Sequence, residues 1–478
     1  MLLRMVYDDK LAQAAYLIGC QRTGEAIIVD PQRDVDRYIN LAGAEGLRLT
    51  AAAETHIHAD FLSGSRELAE HAGVRVYLSG EGGEDWQYQW HEKKSGGGSY
   101  AITWLRDGSR FSVGNIDFRV LHTPGHTPEH VCFLVTDRGG GATEPMGMLS
   151  GDFVFVGDVG RPDLLETAAG VKGSKEAGAH DLFRSIRKTD ALPDYVQIWP
   201  GHGAGSACGK ALGAVPQTTL GYERRFNPAW KAASSPEAFA AWVLHGQPDP
   251  PLYFARMKVQ NKEGPRVLGA VPVPRQLDVA QLASLDFSRV VVLDPRPKKE
   301  FMQAHLPGSL FAPLDTMFPM VAGSFVAEDD EVVIVGEETT ARAVARDLCR
   351  IGIDRVRGFV TPEAVRAAIA GDAPRESTRE VECLGAQRML AAGDVTVIDV
   401  RAAWEHVEGR VPGAINIPYT RLAARIDSLD RRRDILVHCK SGGRSARACA
   451  FLQRRGFKAV NLDGGMMAWE KNRMPIEK

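Results

Sequence analysis

An internal repeat in the second half of the chain places the strongest constraint on the fold. Six residues return after a constant offset of 105 positions: Asp294, Arg296, Glu300, Pro307, Gly308 and Pro313 recur as Asp399, Arg401, Glu405, Pro412, Gly413 and Pro418. A period of this length indicates two copies of a whole domain and not a solenoid of short repeats. Within each copy, runs of β-branched residues alternate with helical patterns, which is typical of a mostly parallel α/β sheet.

The length of the chain agrees with this repeat. At about 150 residues per domain, 478 residues predict about three domains. We place their boundaries at residues 1–260, 265–375 and 380–478. In the first domain, short apolar strands end in polar, glycine-rich turns, and residues 217–254 have a helical pattern that predicts an extension. The predicted fold class is therefore multidomain α/β.

The composition excludes several classes of protein. Lysine and arginine total 58 and aspartate and glutamate total 60, so the net charge is −2 and we expect no nucleic-acid partner. No apolar run approaches the ~18 residues of a membrane-spanning helix, so we expect neither a membrane segment nor secretion. The seven cysteines are odd in number and form no C-x-x-C pair, which favours a reducing, cytoplasmic location.

Histidine and aspartate residues follow four predicted strands of the first domain. They are His56, His58, Asp60, His126, Asp152 and His202. Because the carboxyl ends of neighbouring strands meet at one edge of a sheet, we expect these side chains to share a cleft. Imidazole and carboxylate ligands together suit zinc, iron or manganese, and the residue types leave the choice open.

The motifs that carry these residues are T-H-I-H-A-D, T-P-G-H, S-G-D and P-G-H-G, and they resemble the metallo-β-lactamase superfamily over about the first 210 residues. The resemblance implies a four-layer αββα sandwich. Members that bind two metals carry a histidine directly after the aspartate of the first motif, where this chain has Phe61. The pattern therefore resembles the glyoxalase II-like branch known as persulfide dioxygenases, which implies that His56, His126 and Asp152 bind one Fe(II) per chain.

The same resemblance implies that His58, Asp60 and His202 hydrogen-bond the metal ligands or the substrate. His58 as a ligand stays an alternative, and so does zinc. Two histidines and one carboxylate leave open coordination positions, which an iron oxygenase needs in order to hold substrate and O2 together. A hydrolytic zinc enzyme needs only one activated water.

Three further residues of the first domain are candidate substrate-binding residues. Arg161 lies in a G-R-P-D segment similar to one in the same family, and a guanidinium suits a carboxylate of a thiol substrate. The alternative for Arg161 is a structural pair with Asp163. Cys208 and Lys210 follow His202 closely in the sequence. Cys208 is interpreted either as a residue that handles sulfur or as a small packing residue.

One cysteine, Cys439, has a setting that stabilises an anion. It follows a predicted strand and precedes a helix, so backbone N–H groups and the helix N-terminus surround it. Four residues separate Cys439 from Arg444, whereas phosphatases of the C-x5-R type have five. The loop resembles that of rhodaneses, which implies that Cys439 is catalytic and carries a persulfide. The candidate substrate-binding residues of this loop are Lys440, Ser441, Gly442, Gly443, Arg444 and Ser445.

The first copy of the repeat lacks this loop. Where the second copy has Cys439 and its basic neighbours, the first has V-G-E-E-T-T-A, with two glutamates that repel an anionic substrate. We therefore predict that residues 265–375 form a catalytically inactive rhodanese-like domain and that residues 380–478 form an active one.

Together the motifs predict a persulfide dioxygenase fused to these two domains. It is expected to oxidise a low-molecular-weight thiol persulfide, such as glutathione persulfide, with O2 to sulfite and thiol in hydrogen sulfide detoxification, while Cys439 interconverts thiosulfate and persulfide sulfur. The alternatives are a zinc-dependent thioester hydrolase of glyoxalase II type fused to a sulfurtransferase, and a non-oxidising sulfur carrier or sensor. The sequence leaves open the thiol, the direction of sulfur flow and whether the chain forms a homo-oligomer.

Overall fold

The chain divides into two compact units. The structure, a computed structural model, describes residues 1–167, 173–371 and 373–478. The first unit consists of Met1–Val271 with Arg350–Gly352, and the second of Pro272–Cys349 with Ile353–Lys478. Every helix in the described ranges is too short or too polar to span a lipid bilayer.

Two six-stranded sheets form the centre of the first unit. The first sheet contains, in spatial order, β1 (Leu2–Asp8), β2 (Gln13–Cys20), β3 (Glu25–Val29), β4 (Arg48–Ala53), β5 (Arg75–Ser79) and β6 (Ile102–Leu105). The second contains, also in spatial order, β7 (Arg110–Val113), β8 (Ile116–His122), β9 (Val131–Asp137), β10 (Gly147–Gly151), β11 (Gln197–Pro200) and β12 (Thr218–Thr219). Strands β3 to β6 are parallel, as are β10 and β11, and the other neighbours are antiparallel.

The described helices of the first unit cover the outer faces of these sheets. They are α1 (Asp36–Ala44), α2 (Ser65–His71), α3 (Leu164–Thr167), α4 (Ser174–Lys188), α5 (Leu220–Phe226), α6 (Pro228–Ala232), α7 (Pro236–Leu244) and α8 (Tyr253–Glu263). Between the two sheets, side chains of both inner faces share one apolar cluster that includes Ile18, Val29, Phe118, Phe133 and Leu149. Separate clusters join the first sheet to α1 and α2 and the second sheet to α4 and α7. The predicted αββα sandwich is confirmed, because alternating faces of each sheet bury apolar residues on both sides.

The helical extension is broken into shorter helices than the pattern of residues 217–254 predicts. Pro228 and Pro236 each stand in the first turn of a new helix, where the missing N–H costs nothing. The side chains of Asn227 and Ser235 accept hydrogen bonds from the first free N–H groups of α6 and α7. Each Asn-Pro or Ser-Pro pair therefore starts a helix instead of continuing the one before it.

The second unit contains two parallel sheets with the same topology. One has the spatial order β14-β13-β15-β16, formed by β13 (Val290–Asp294), β14 (Leu310–Phe311), β15 (Glu331–Val335) and β16 (Val356–Val360). The other has the order β17-β21-β20-β18-β19, formed by β17 (Arg379–Val381), β18 (Val395–Asp399), β19 (Ile415–Asn416), β20 (Asp434–His438) and β21 (Ala459–Leu462). Read from β14 and from β19, four strands of each sheet correspond one to one, and all neighbours are parallel.

Both copies of the sequence repeat contain the same ion pair between an aspartate and an arginine. Arg296 donates from Nε and Nη2 to the Asp294 carboxylate at 2.9 and 2.6 Å. Arg401 does the same to Asp399, again at 2.9 and 2.6 Å. Asp294 ends β13 and Asp399 ends β18, and both aspartates are fully buried. The repeated residues therefore fix the strand-to-helix turn in both copies.

The helices of the second unit also alternate with its strands. They are α9 (Val279–Ala283), α10 (Lys298–Gln303), α11 (Phe318–Phe325), α12 (Glu338–Arg350), α13 (Pro362–Ala370), α14 (Cys383–Ala392), α15 (Ala403–Glu408), α16 (Leu422–Arg425), α17 (Gly443–Arg454) and α18 (Gly465–Lys471). The two copies form one compact unit because they share an apolar cluster of Phe301, Met302, Phe311, Ala446 and Ala450. The predicted boundaries at 265–375 and 380–478 stay predictions.

Candidate metal centre and thiol site

Three of the predicted ligands meet at one edge of the first unit. His56 follows β4, His126 lies in the loop between β8 and β9, and Asp152 follows β10 directly. One ligand atom from each lies within 4.8 Å of the others. Nε2 of His126 and Nε2 of His56 are 3.4 and 3.9 Å from Oδ2 of Asp152. All three side chains are buried.

Hydrogen bonds at the far side of each ring direct an imidazole lone pair into this centre. Nδ1 of His126 is 3.0 Å from the carbonyl oxygen of Arg161, which only accepts, so Nδ1 carries the proton. Thr55 Oγ1 donates to Asp30 at 2.9 Å and therefore accepts from Nδ1 of His56 at 3.0 Å. Burial lowers the pKa of both imidazoles, which favours the neutral form that binds metals.

The carboxylate completes a set that fits a metal ion. Oδ2 of Asp152 is buried, and none of the described residues forms a hydrogen bond with it. Although burial raises the pKa of a carboxyl group, the charge and hydrogen bond of His202 hold that of Asp152 well below its usual range. An ionised oxygen without a partner, faced by two imidazole nitrogens, is the donor set that a cation satisfies.

His202 and Asp60 support the carboxylate from behind. Nδ1 of His202 is 2.7 Å from Oδ1 of Asp152, and its Nε2 is 2.8 Å from Oδ2 of Asp60. Burial lowers the pKa of this imidazole, but the neighbouring negative charges, that of Asp152 above all, raise it well above the usual value. His202 thus bridges two carboxylates and fixes the orientation of the one in the centre.

His58 lies in a different group of side chains. Its Nε2 is 3.0 Å from Oε2 of Glu54 and 3.2 Å from Oδ1 of Asp30. Burial lowers its pKa, yet the charge of Asp30 and the hydrogen bonds to both carboxylates raise it to about 10. His58 therefore pairs with Glu54 and Asp30. The sequence had left open that it binds the metal together with His56, His126 and Asp152.

A second candidate site surrounds Cys439 in the second unit. Cys439 directly follows β20 and is buried. Its Sγ accepts hydrogen bonds from the backbone N–H of Gly442 at 3.1 Å and from Oγ of Ser445 at 3.4 Å. Gly442 has a φ of +88° and caps α17, so the loop curls back over the sulfur at a position that favours glycine.

The remaining loop residues have distinct surroundings. Both terminal nitrogens of Arg444 donate to the Glu405 carboxylate, at 2.7 and 2.8 Å. Lys440 and Ser441 are exposed, and Gly443 is the first residue of α17. In the other copy, only residues 336 and 337 separate β15 from α12, so the chain there has no room for the same loop.

Comparison with known proteins identifies both halves. The family model of the metallo-β-lactamase superfamily matches residues 8–202, and that of the rhodanese-like domain matches residues 385–472. The crystal structure of a metallo-β-lactamase from Staphylococcus aureus subsp. aureus COL is 41% identical, covers 76% of this chain and 99% of its own, and has a TM-score of 0.67. The chain belongs to the metallo-β-lactamase superfamily. It also carries a C-terminal rhodanese-like domain, as predicted.

Curated relatives of this metallo-β-lactamase fusion have several activities. The persulfide dioxygenase of Bos taurus is 28% identical over 42% of this chain and 68% of its own length. A hydroxyacylglutathione hydrolase of Haemophilus influenzae is 29% identical over 42% of this chain and 86% of its own. A sulfurtransferase of Allochromatium vinosum is 35% identical over 19% of this chain and 85% of its own. The chain is thus an enzyme that joins a metal-binding family to a sulfurtransferase family.

The structure gives the predicted substrate residues of the metallo-β-lactamase domain other partners. Arg161 is buried and donates from Nε and Nη2 to Asp163 at 2.8 and 2.7 Å and from Nη1 to the carbonyl of Ala207 at 3.0 Å. This is the structural pair that the sequence offered as the alternative. Nζ of Lys210 donates to the carbonyl of Trp242 at 2.6 Å and lies 3.8 Å from the centre of its ring.

Cys208 lies beside the supporting residues of the metal centre. The Cys208 sulfur, one ring nitrogen of His202 and one carboxylate oxygen of Asp60 lie within 4.8 Å of one another. The Cys208 side chain is buried. Burial raises the pKa of the thiol to about 12, so this geometry favours an uncharged side chain.

Three residues of the metallo-β-lactamase domain that support the centre were not singled out in the sequence. Nε2 of His130 accepts the backbone N–H of Asp152 at 3.1 Å. Oε1 of Glu129 accepts the N–H of Ile57, between the two histidines, at 2.8 Å. Asp30 binds Thr55 and has a φ of +52°, which is uncommon for a residue with a side chain. The signals were present: Asp30 ends a strand, and His130 follows His126 by four positions in one loop.

Proposed function

We propose that the first unit is a persulfide dioxygenase and that Cys439 of the second unit transfers sulfane sulfur. The reaction converts R–S–SH, O2 and H2O into R–SH, sulfite and two protons. The observation that carries the proposal is the set of three ligands, because two imidazoles and one carboxylate leave coordination positions open for two further molecules. The relationship to the bovine persulfide dioxygenase supports it.

The ligands of the proposed single iron are His56, His126 and Asp152. A bound Fe(II) would supply the redox chemistry by which O2 oxidises a persulfide. The protein keeps the two Nε2 atoms unprotonated and the Asp152 carboxylate ionised, as metal binding requires. Hydrogen bonds at Nδ1 leave each Nε2 free, and His202 holds Asp152 ionised by pairing with it and with Asp60. Because these side chains are buried, bulk water is kept from the reacting atoms.

The proposed transfer at Cys439 is a displacement at sulfur. The Cys439 thiolate attacks the outer sulfur of the donor, the donor S–S bond breaks, and its electron pair leaves with the thiol or with sulfite. The backbone N–H of Gly442 and the hydroxyl of Ser445 donate to the sulfur that bears the negative charge. The Arg444–Glu405 pair anchors the first turn of α17 and so holds the loop in place.

The experiment is O2 uptake on addition of glutathione persulfide to anaerobically purified protein, with sulfite and metal content measured on the same sample. We expect rapid uptake, equal amounts of sulfite, and about one iron per chain. His126→Ala is expected to lose metal and O2 uptake, and His91→Ala, a change at a half-exposed histidine, to keep both. Stoichiometric zinc with thioester hydrolysis and no O2 uptake would overturn the dioxygenase in favour of a hydrolase.

A further inference from the structure

The inactive copy of the repeat covers one face of the helix that begins at the Cys439 loop. The ring of Phe451 on α17 stacks on Phe325 of α11, with centroids 4.5 Å apart and planes 13° from parallel. Ala446 and Ala450 of α17 belong to the apolar cluster shared with α10 and β14. The inactive copy is therefore in contact with the helix that holds Arg444 and Ser445.

The same face brings a carboxylate of the inactive copy to a guanidinium of the active one. Arg447 lies one turn beyond Arg444 on α17. Its Nη2 donates to Asp315, and its Nη1 is 3.7 Å from the sulfur of Met317. The Arg447 side chain is 6% exposed and that of Asp315 is 48% exposed, so the carboxylate marks the solvent side of the contact.

A second methionine of the inactive copy reaches the same place. The hydroxyl of Tyr419 donates to the sulfur of Met320 at 2.8 Å. Burial raises the pKa of Tyr419, and the charges of Arg447, Arg444 and Asp315 all act on it. Ser445, whose hydroxyl donates to the Cys439 sulfur, lies only two residues before Arg447 on α17, so this group of side chains lies within one helical turn of a residue that contacts the sulfur.

Three cations around this loop are paired with carboxylates, whereas Lys440 of the loop is exposed. Arg444 is paired with Glu405, and Arg447 with Asp315. Nζ of Lys298, from the inactive copy, lies 2.9 Å from Glu380 and 2.8 Å from Asp463, next to the position that a side chain on Gly442 would occupy. A donor with two negative charges must compete with these carboxylates, and the repulsion from Asp315 grows in proportion to the charge of the donor.

We propose that Asp315, with the thioethers of Met317 and Met320, is a specificity surface supplied by the inactive copy, and that it selects a thiol hydropersulfide over dianionic thiosulfate as the donor to Cys439. The inference rests on the sulfur transfer proposed above. In the favoured step, R–S–SH and the Cys439 thiolate give R–SH and the Cys439 persulfide anion. In the disfavoured step, thiosulfate and the thiolate give the same anion and sulfite. Polarisable thioethers suit an uncharged or singly charged sulfur chain, because they attract it without requiring a second charge.

The test measures the rate constant for persulfidation of Cys439 under anaerobic conditions, with 2-hydroxyethyl persulfide, whose charge is at most −1, and with thiosulfate, by mass spectrometry of the full chain. We expect Asp315→Asn to raise the rate with thiosulfate about fivefold and to change the rate with 2-hydroxyethyl persulfide less than twofold. Asp315→Glu keeps the charge and is expected to restore the ratio of the two rates. Asp427→Asn removes an exposed carboxylate of the active copy and is the matched control.

Two results would overturn the specificity surface. One is an unchanged ratio of the two rates in Asp315→Asn, and the other is an equal change in both rates, which would show a structural effect on the loop. If the wild-type chain accepts sulfur from neither donor, then the sulfur transfer proposed for Cys439 is wrong and this inference falls with it.

Discussion

At the residue scale, the metal centre depends on where single protons lie. The carbonyl of Arg161 and the hydroxyl of Thr55 each accept the Nδ1–H of a histidine, so both Nε2 atoms keep their lone pairs. His202 then holds the carboxylate through two charge-assisted hydrogen bonds, with Asp152 and Asp60. The ligand set is thus organised by neighbours that do not themselves reach the metal position.

This arrangement predicts the effect of removing His202. In His202→Ala, Oδ1 of Asp152 loses its donor, and Asp60 is left buried without its partner. We expect metal affinity to fall about 10- to 100-fold, as for other residues that orient metal ligands. A competition titration with a chromogenic chelator measures it. An affinity equal to that of the wild type and of His91→Ala would contradict the positioning role.

At the element scale, His56 and Cys439 lie in turns that follow a parallel strand, whereas His126 lies in the loop between the antiparallel strands β8 and β9. The Cys439 loop shows why the turn matters: Gly442 has a φ of +88°, which favours glycine, and its N–H donates to the Cys439 sulfur at 3.1 Å. A Cβ at this position would lie 3.1 Å from the backbone nitrogen of Gly464. The loop therefore needs glycine for its backbone conformation and for its close packing.

Replacement of this glycine is expected to disable sulfur transfer alone. Left-handed backbone at a residue with a side chain costs about 1–2 kcal/mol, and a loop released from it loses the N–H that stabilises the sulfur anion. We expect Gly442→Ala to lower the sulfurtransferase rate by at least about tenfold while metal content is unchanged. Gly413→Ala is the matched control, since Gly413 also has a positive φ, +74°, but has open space around it. Equal losses in both variants would show that strain, and not the N–H, is responsible.

The repeated aspartate–arginine turn makes a prediction about stability and pH. Burial raises the pKa of the Asp399 carboxyl, but Arg401 and His438 hold it below its usual range. A lowered folded-state pKa means that the stabilisation is present above about pH 3.9 and is lost as the pH falls below it. We expect Asp399→Asn to destabilise the second unit by about 3–5 kcal/mol at pH 7 and by less towards pH 3.

Hydrogen exchange of the amides of β18 and β20 measures this difference at each pH. Asp294→Asn tests the equivalent turn in the inactive copy, where Arg296 makes the same hydrogen bonds. The exposed Asp427→Asn is expected to change nothing. A destabilisation by Asp399→Asn that did not shrink at low pH would contradict the proposed origin in the ionised carboxylate.

At the scale of the whole molecule, the chain has three predicted domains but two compact units. The two copies of the repeat behave as one unit because the first copy covers α17 of the second, through the Phe325–Phe451 stack and the shared apolar cluster. The first copy lacks a loop like that of Cys439, but it packs against the helix that follows this loop in the second copy.

The division into units predicts how metal removal acts. A ligand that binds only the folded first unit stabilises that unit and not the second, by an amount that grows with the logarithm of its concentration over its Kd. We expect a chelator to lower the unfolding temperature of one calorimetric transition and to leave the other within about 1 °C. Leu149→Ala, in the core of the first unit, identifies the transition that moves. A chelator that shifted both transitions equally would contradict independent unfolding of the units.

The amino-acid sequence by itself determined the αββα fold with its rhodanese-like C-terminal domain, the repeat, and the three residues that come together as a candidate metal site. Strand ends, motif spacing and the offset of 105 positions are local patterns, and local patterns can be read along the chain. It left open whether Arg161 would pair with Asp163, and it did not show that His58 would pair with Asp30 and Glu54 or that Asp315 would reach Arg447. Those outcomes depend on which side chains compete for one partner in space, and residues 132 positions apart meet only when the tertiary structure brings their elements together.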